Sequence, residues 1–264
     1  MKLGFIGCGN MAGAIIGGII KHNVCKKEEI IGSDPLEAGR KRVQENHGIQ
    51  VTADNTEVVR EADIVFLAVK PQYYEGVLDE IRDSVKVGQI FISIAPGKTI
   101  AWIGEHLGET VKLVRTMPNT PALVGEGMTA ACANTYVTEE EMEQVLQILS
   151  ATGKVEVVPE HLMDVVVGVS GSSPAYVFMF IEAMADAAVA EGMPRAQAYR
   201  FAAQAVLGSA KMVLDTEKHP GELKDMVCSP AGTTIQAVRV LEEKGLRSAV
   251  FEATDTCIQK AKGM

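Results

Sequence analysis

Short apolar runs alternating with longer amphipathic stretches fill the first half of the chain. The runs lie at residues 2–6, 30–33, 49–52, 64–69, 91–94 and 113–116, each the length of a buried strand. Between them, residues 11–22, 36–46, 73–85 and 99–106 have helical character. Further strands are expected at 128–133 and 155–158, with a helix at 139–150 between them. Strands that are apolar throughout, alternating with helices, predict a parallel sheet covered on both faces. After about Pro159 the strand pattern stops. Helices are expected at 175–191, 195–214, 234–244 and 251–262. The predicted class is α/β: a doubly wound domain over residues 1–159, then an all-α domain over 160–264.

The helix from Ala175 is apolar nearly all round, through Val177, Phe178, Met179, Phe180, Ile181 and Met184. A helix apolar on every side must be covered on every side. About a hundred residues of helix make too small a core to enclose it. The pattern therefore predicts a homodimer formed through the C-terminal helices.

Composition narrows the partners. The chain is 47% hydrophobic but only 5% aromatic, so small and aliphatic residues must fill the core. The formal charge is −9, and no run of Lys or Arg offsets it. Binding to nucleic acid or to an anionic membrane surface is not expected. The cysteines at 8, 25, 132, 228 and 257 show no C-x-x-C spacing. Neither a metal site nor a disulfide framework is expected, and a cytoplasmic location fits. Gly4, Gly7, Gly9 and Gly13 interrupt the first apolar stretch, and no cationic leader precedes it, so no signal peptide is expected. No membrane span is expected either, because no run of about 18 uninterrupted apolar residues occurs.

Ile6-Gly7-Cys8-Gly9-Asn10-Met11-Ala12 carries the first candidate chemistry. It contains G-x-G-x-x-A, directly after a strand and directly before a helix. The first glycine allows the tight turn and the second lets backbone approach a pyrophosphate. The small third residue lets helix and strand pack closely, and the helix N-terminus faces the phosphates. In this context the motif predicts dinucleotide binding. Asp34, at the end of the second strand, suits hydrogen bonds to the adenosine ribose and repels a 2′-phosphate, which leans toward NADH. Ser33 and the nearby Arg40, Lys41 and Arg42 pull toward NADPH, so the cofactor is NADH or NADPH. Ligands of open α/β sheets lie outside the carboxyl ends of strands. That rule adds Asn55, Ala68, Val69, Lys70, Pro71, Ala95 and Asn119 as cofactor-lining candidates.

A second candidate is Ser229-Pro230-Ala231-Gly232-Thr233-Thr234. Pro230 suits the first turn of a helix and Ser229 its N-cap. Gly232 leaves backbone N–H groups open. The stretch reads as a hydroxyl-lined helix N-terminus, which is an anion site. It reads equally as a well-capped surface helix.

The chain resembles the pyrroline-5-carboxylate reductases over essentially its whole length. The resemblance rests on F-I-G-C-G-N-M-A at the start, A-V-K-P at 68–71 and M-P-N-T-P at 117–121. More specific are S-G-S-S-P-A-Y at 170–176, H-P-G-E-L-K-D at 219–225 and S-P-A-G-T-T-I at 229–235. It implies a Rossmann-type N-terminal domain and reduction of L-1-pyrroline-5-carboxylate to L-proline by hydride transfer from NAD(P)H. That reaction is the last step of proline biosynthesis. It also implies that Thr234 hydrogen-bonds the imine nitrogen. Amides around Gly232 and Thr233, with the Ser229 hydroxyl, would hold the carboxylate. Ser172 and Ser173 would lie near the substrate. In the family the C-terminal helices of two subunits interlock, and rings of dimers occur. Ser173 departs from the family's usual glycine, which puts the pocket's width in question. Asp34 departs from its frequent serine, which puts the cofactor preference in question.

Two other readings remain at this point. One is a β-hydroxyacid dehydrogenase or a related imine reductase, whose lysine is represented here only by Lys211 in an Ala-rich setting. The other is a non-catalytic dinucleotide-binding regulator. It would show a damaged substrate stretch, whereas Ser229, Gly232 and Thr234 are all present.

Overall fold

The computed structural model describes residues 1–263. The first compact unit comprises Met1–Ser172 together with the end of the last helix. Its elements run β1 (Leu3–Ile6), α1 (Asn10–Lys21), β2 (Ile30–Ser33), α2 (Glu37–His47), β3 (Gln50–Thr52), α3 (Asn55–Glu61) and β4 (Ile64–Leu67). Then follow α4 (Tyr74–Ile81), β5 (Ile90–Ser93), α5 (Ile100–Leu107), β6 (Lys112–Met117), β7 (Gly127–Ala133), α6 (Glu139–Leu149) and β8 (Gly153–Val157). The strands form one sheet in the order β3-β2-β1-β4-β5-β6-β7-β8.

Strands β1 to β6 are parallel, as their apolar character predicts. β1, β2, β4 and β5 are buried along their whole length. One face packs against Ile15, Ile16, Ile19, Val43 and Ile148. The other packs against Val58, Leu78, Ile81, Ile103 and Leu107. The Phe5 and Phe66 rings stack at 4.5 Å on neighbouring strands.

The expectation of a parallel sheet throughout needs correction at β7, which runs antiparallel to β6. Only a short 3-10 turn, Thr120–Val124, separates the two strands. A parallel return needs a crossover of a dozen or more residues, and the connection is too short for one. Helix α3 is a further addition to the pattern read from the sequence.

After β8 come α7 (Met163–Val166) and a π-helical turn, Val167–Gly171. The second unit, Ser173–Thr256, is helical. It holds α8 (Ser173–Ala190), α9 (Arg195–Thr216), α10 (Pro220–Val227), α11 (Thr233–Glu243) and most of α12 (Leu246–Lys262). α8 and α9 pack together. Within one chain only Ala185 of α8 is buried, while Phe178 is 62% and Met179 70% exposed. The full covering that an all-round apolar helix requires is thus not supplied by its own chain. Among the described residues one helical segment, Glu160–Ala190, is long and apolar enough by length and composition to cross a membrane. Asp164, Ser170, Ser172, Ser173 and Glu182 interrupt it.

Candidate functional site

The dinucleotide cradle belongs to the first unit and sits where the strand order reverses, between β1 and β4. Chains leave these two strands in opposite directions, which opens a crevice at their carboxyl ends. Gly7 follows β1 at φ +98°, a conformation that suits glycine. A Cβ there would lie 2.7 Å from the carbonyl oxygen of Ala68. The glycine loop and the Ala68–Pro71 loop therefore touch backbone to backbone. Gly9 differs: nothing lies within 4 Å of where its Cβ would be. Gly9 is the N-cap of α1, and no side chain caps the helix. Open space in front of uncapped helix N–H groups fits a pyrophosphate. Ala12 is buried, as close packing of helix on strand requires.

Asp34 organises the adjacent edge. Its Oδ2 accepts from the Cys8 amide at 3.0 Å and its Oδ1 from the Leu36 amide at 2.9 Å. The carboxylate thus ties the glycine loop to the β2–α2 loop. Gly39 makes room for it, since a Cβ there would lie 2.9 Å from the carboxyl group. Arg40 donates to the Asp34 carbonyl at 2.6 Å, and Arg42 donates to the Cys8 carbonyl at 2.7 Å. Lys41 instead pairs with Glu37 on the helix surface. Of three consecutive cations, two turn toward the cradle and one toward solvent.

Ser33 is fully buried, and its hydroxyl donates to Asn55 Oδ1 at 2.7 Å. Ser33 itself therefore presents no open surface, and Asn55 covers its hydroxyl. Asn55, the first residue of α3, also donates to Glu80 at 2.8 Å. The Cys8 thiol is buried against the Ser33 carbonyl, and burial pushes its pKa up to about 12, with the Asp34 charge adding to the shift. Cys8 is therefore a packing residue beside the cradle and not a nucleophile. Ala68, Val69 and Pro71 are half-buried, Lys70 exposed and Ala95 buried. Buried Tyr74 fixes this rim: its hydroxyl bonds the Leu67 carbonyl at 2.7 Å and Ser93 Oγ at 3.0 Å. Asn119 is buried at the end of the β6 loop.

The second candidate lies in the second unit. Helix α11 begins at Thr233 with Gly232 as its N-cap and no side-chain cap. The expected N-cap role of Ser229 is thus corrected. Ala231 adopts φ +57°, which breaks the helix before Thr233. Ser229 to Gly232 form a turn in which the Gly232 amide donates to the Ser229 carbonyl at 3.0 Å. The Ser229 hydroxyl lies over Gly232, where any Cβ would collide with it. Ser229 and Thr233 are exposed and Thr234 is half-buried. Hydroxyls and uncapped amides therefore gather at one helix end, the arrangement that holds a carboxylate. A non-glycine residue in the left-handed region is stored strain of the kind found at ligand clamps. Ser172 follows the π turn and Ser173 opens α8. The Ser172 hydroxyl accepts from the Cys257 thiol at 3.2 Å.

Residues 160–264 match the family described as "Pyrroline-5-carboxylate reductase dimerisation". The chain is 54% identical to the pyrroline-5-carboxylate reductase of Escherichia coli, an alignment covering 99% of this chain and 97% of that protein. The chain belongs to the pyrroline-5-carboxylate reductase family. Another family member, from Methanosarcina acetivorans, is 46% identical over the same shares of both chains. The crystal structure of the Plasmodium falciparum pyrroline carboxylate reductase, with NADP bound, superimposes with a TM-score of 0.91 at 33% identity. It covers 100% of this chain and 97% of that one. Residues 2–97 also match the family described as "NADP oxidoreductase coenzyme F420-dependent". Membership explains the uncovered helices of the second unit: the family's C-terminal domain is a dimerisation domain, and the apolar side chains of α8 lie within it.

Proposed function

We propose that the chain reduces L-1-pyrroline-5-carboxylate to L-proline with NADH or NADPH, the last step of proline biosynthesis. The observation that carries the reading is the full-length family relationship, with the H-P-G-E-L-K-D and S-P-A-G-T-T-I motifs present. When bound, the reduced nicotinamide supplies the hydride for the imine carbon.

The chain's own residues do the rest by placement. Gly7, Gly9 and the open N-terminus of α1 suit the dinucleotide phosphates. Asp34 stands where ribose hydroxyls of the adenosine would be received, which leans toward NADH. The arginines beside it leave room for NADPH as a second cofactor. The substrate carboxylate fits the amides of Gly232 and Thr233 with the Ser229 hydroxyl. The imine takes its proton from solvent, and the resulting N–H donates to the Thr234 hydroxyl oxygen, which holds the proton on nitrogen while hydride arrives at the adjacent carbon. An iminium is already a strong hydride acceptor, so position and one hydrogen-bonding hydroxyl suffice without a strong acid. This accounts for a substrate stretch without histidine or a carboxylate pair.

The homodimer is read as the unit that covers the apolar helices, and a ring of dimers is the larger assembly that the family resemblance suggests. The charge of −9 disfavours nucleic acid and anionic membranes as partners. The Glu160–Ala190 segment is read as a subunit interface and not a membrane span, and the enzyme as cytoplasmic. The test is the initial rate of NADH and of NADPH oxidation with pyrroline-5-carboxylate, in parallel. A rate with either cofactor supports the reading. Cofactor binding without turnover of any imine would favour the regulator, and oxidation of hydroxy acids alone would favour the β-hydroxyacid dehydrogenase.

A further inference from the structure

Asn119 sits in a loop that sequence reasoning places beside the cofactor, yet its side chain is engaged elsewhere. Its Oδ1 accepts from the Met128 amide at 2.9 Å, and its Nδ2 donates to the Ser170 carbonyl at 3.0 Å. The two partners fix the orientation of the amide, since one can only donate and the other can only accept. Ser170 lies in the π turn Val167–Gly171. Such turns are rare, and they are enriched at functional sites. This one is closed by the Ser172 amide on the Val167 carbonyl at 2.8 Å.

A second contact from the same loop reaches the same turn. A Cβ at Gly171 would lie 2.5 Å from Cε of Met117, so Met117 rests directly on the glycine. Met117 and Val166 also pack on one small core, with Met163 and Cys132. The M-P-N segment thus grips the π turn by a hydrogen bond and by packing. The turn ends at Ser172, whose hydroxyl accepts from Cys257 and so keeps its own proton to donate.

We propose that Asn119 is a positioning residue for the substrate side of the reaction: it clamps the π turn and thereby sets where Ser172 presents its hydroxyl. The chemistry that Ser172 offers is a hydroxyl proton for an acceptor atom of the ligand. This inference rests on the reductase reading above for its substrate, but the clamp itself does not.

Asn119→Asp keeps the acceptor for Met128 and replaces the donor facing Ser170 with an oxygen. Gly171→Ala strikes the same clamp from its other side, by pushing against Met117. For each variant three quantities are measured on the full chain. They are amide hydrogen exchange across residues 166–173, the Kd for NADH alone, and KM and kcat for pyrroline-5-carboxylate. The expected result is at least tenfold faster exchange at Ser172 and a KM raised about fivefold or more. The Kd for NADH stays within twofold and kcat changes less than KM. Unchanged exchange in both variants overturns the clamp. A loss of NADH affinity matching the rise in KM overturns it too, because Asn119 would then serve the cofactor. If the unaltered enzyme turns over no pyrroline-5-carboxylate, the reductase reading fails, while exchange and NADH affinity still decide the clamp.

Discussion

The backbone of Gly7 presses so closely on the carbonyl of Ala68 that residue 7 has no room for a side chain, whereas Gly9 faces open space. Two glycines of one motif therefore have different duties. Gly7→Ala combines a left-handed backbone with a clash against main chain, and each is strain of about 1–3 kcal/mol. It should lower the melting temperature and weaken cofactor binding together. Gly9→Ala meets no protein atom. It should melt within about a degree or two of the parent, consistent with a surface-like change, yet bind NADH at least tenfold more weakly. Thermal melts and cofactor titrations on the two variants check this. A Gly9→Ala protein with full affinity would remove the pyrophosphate from this loop.

Asp34 holds two backbone amides, and selection of the cofactor is the second job proposed for it. Asp34→Ser removes the negative charge beside Arg40 and Arg42. The NADPH:NADH ratio of kcat/KM should rise by about tenfold, near 1.4 kcal/mol. An unchanged ratio would mean that the carboxylate serves the loop alone.

Thr234→Ala should reduce kcat/KM by about 1–3 kcal/mol, the cost of leaving a buried donor or acceptor without its partner. Cofactor Kd should not move. Steady-state kinetics with a parallel NADH titration separate the two, and equal losses would place Thr234 outside the chemistry.

Cys8 should resist thiol reagents at pH 8 in the folded protein. Its pKa is pushed up to about 12 from 9.0, chiefly by burial. Between those values the unfolded chain gives up a proton that the folded chain keeps. The contribution is therefore present below about pH 9 and is lost as the pH rises toward 12. Mass mapping of labelled cysteines before and after unfolding checks the first point, and denaturation from pH 8 to 10.5 the second. Rapid labelling of native Cys8 would mean that the loop opens.

Much of this was legible because burial writes itself into sequence. Strands buried on both faces read as unbroken apolar runs, so β1, β2, β4 and β5 were plain from Phe5, Ile31, Phe66 and Phe91. The glycine loop was plain because its chemistry is backbone geometry. Short elements were harder. Helix α3 spans Asn55–Glu61 and α10 spans Pro220–Val227, too short to repeat a helical period convincingly. The direction of β7 depended on the length of a connection rather than on any residue in the strand. Ser229 looked like a cap because the local pattern allows it, and only the backbone angle of Ala231 shows where the helix begins. The π turn leaves no trace in the local pattern: Asn119 and Met117, which touch it, are distant from it in sequence.

The most direct measurement follows the hydride itself. The enzyme is supplied with pyrroline-5-carboxylate and with reduced nicotinamide carrying deuterium at C4 on both faces, and the proline formed is examined by mass spectrometry and NMR. The account predicts one deuterium per proline, on the ring carbon that was the imine carbon, across the nitrogen from the carboxylate-bearing carbon. Proline formed without that deuterium, or cofactor bound with no proline formed, would contradict it.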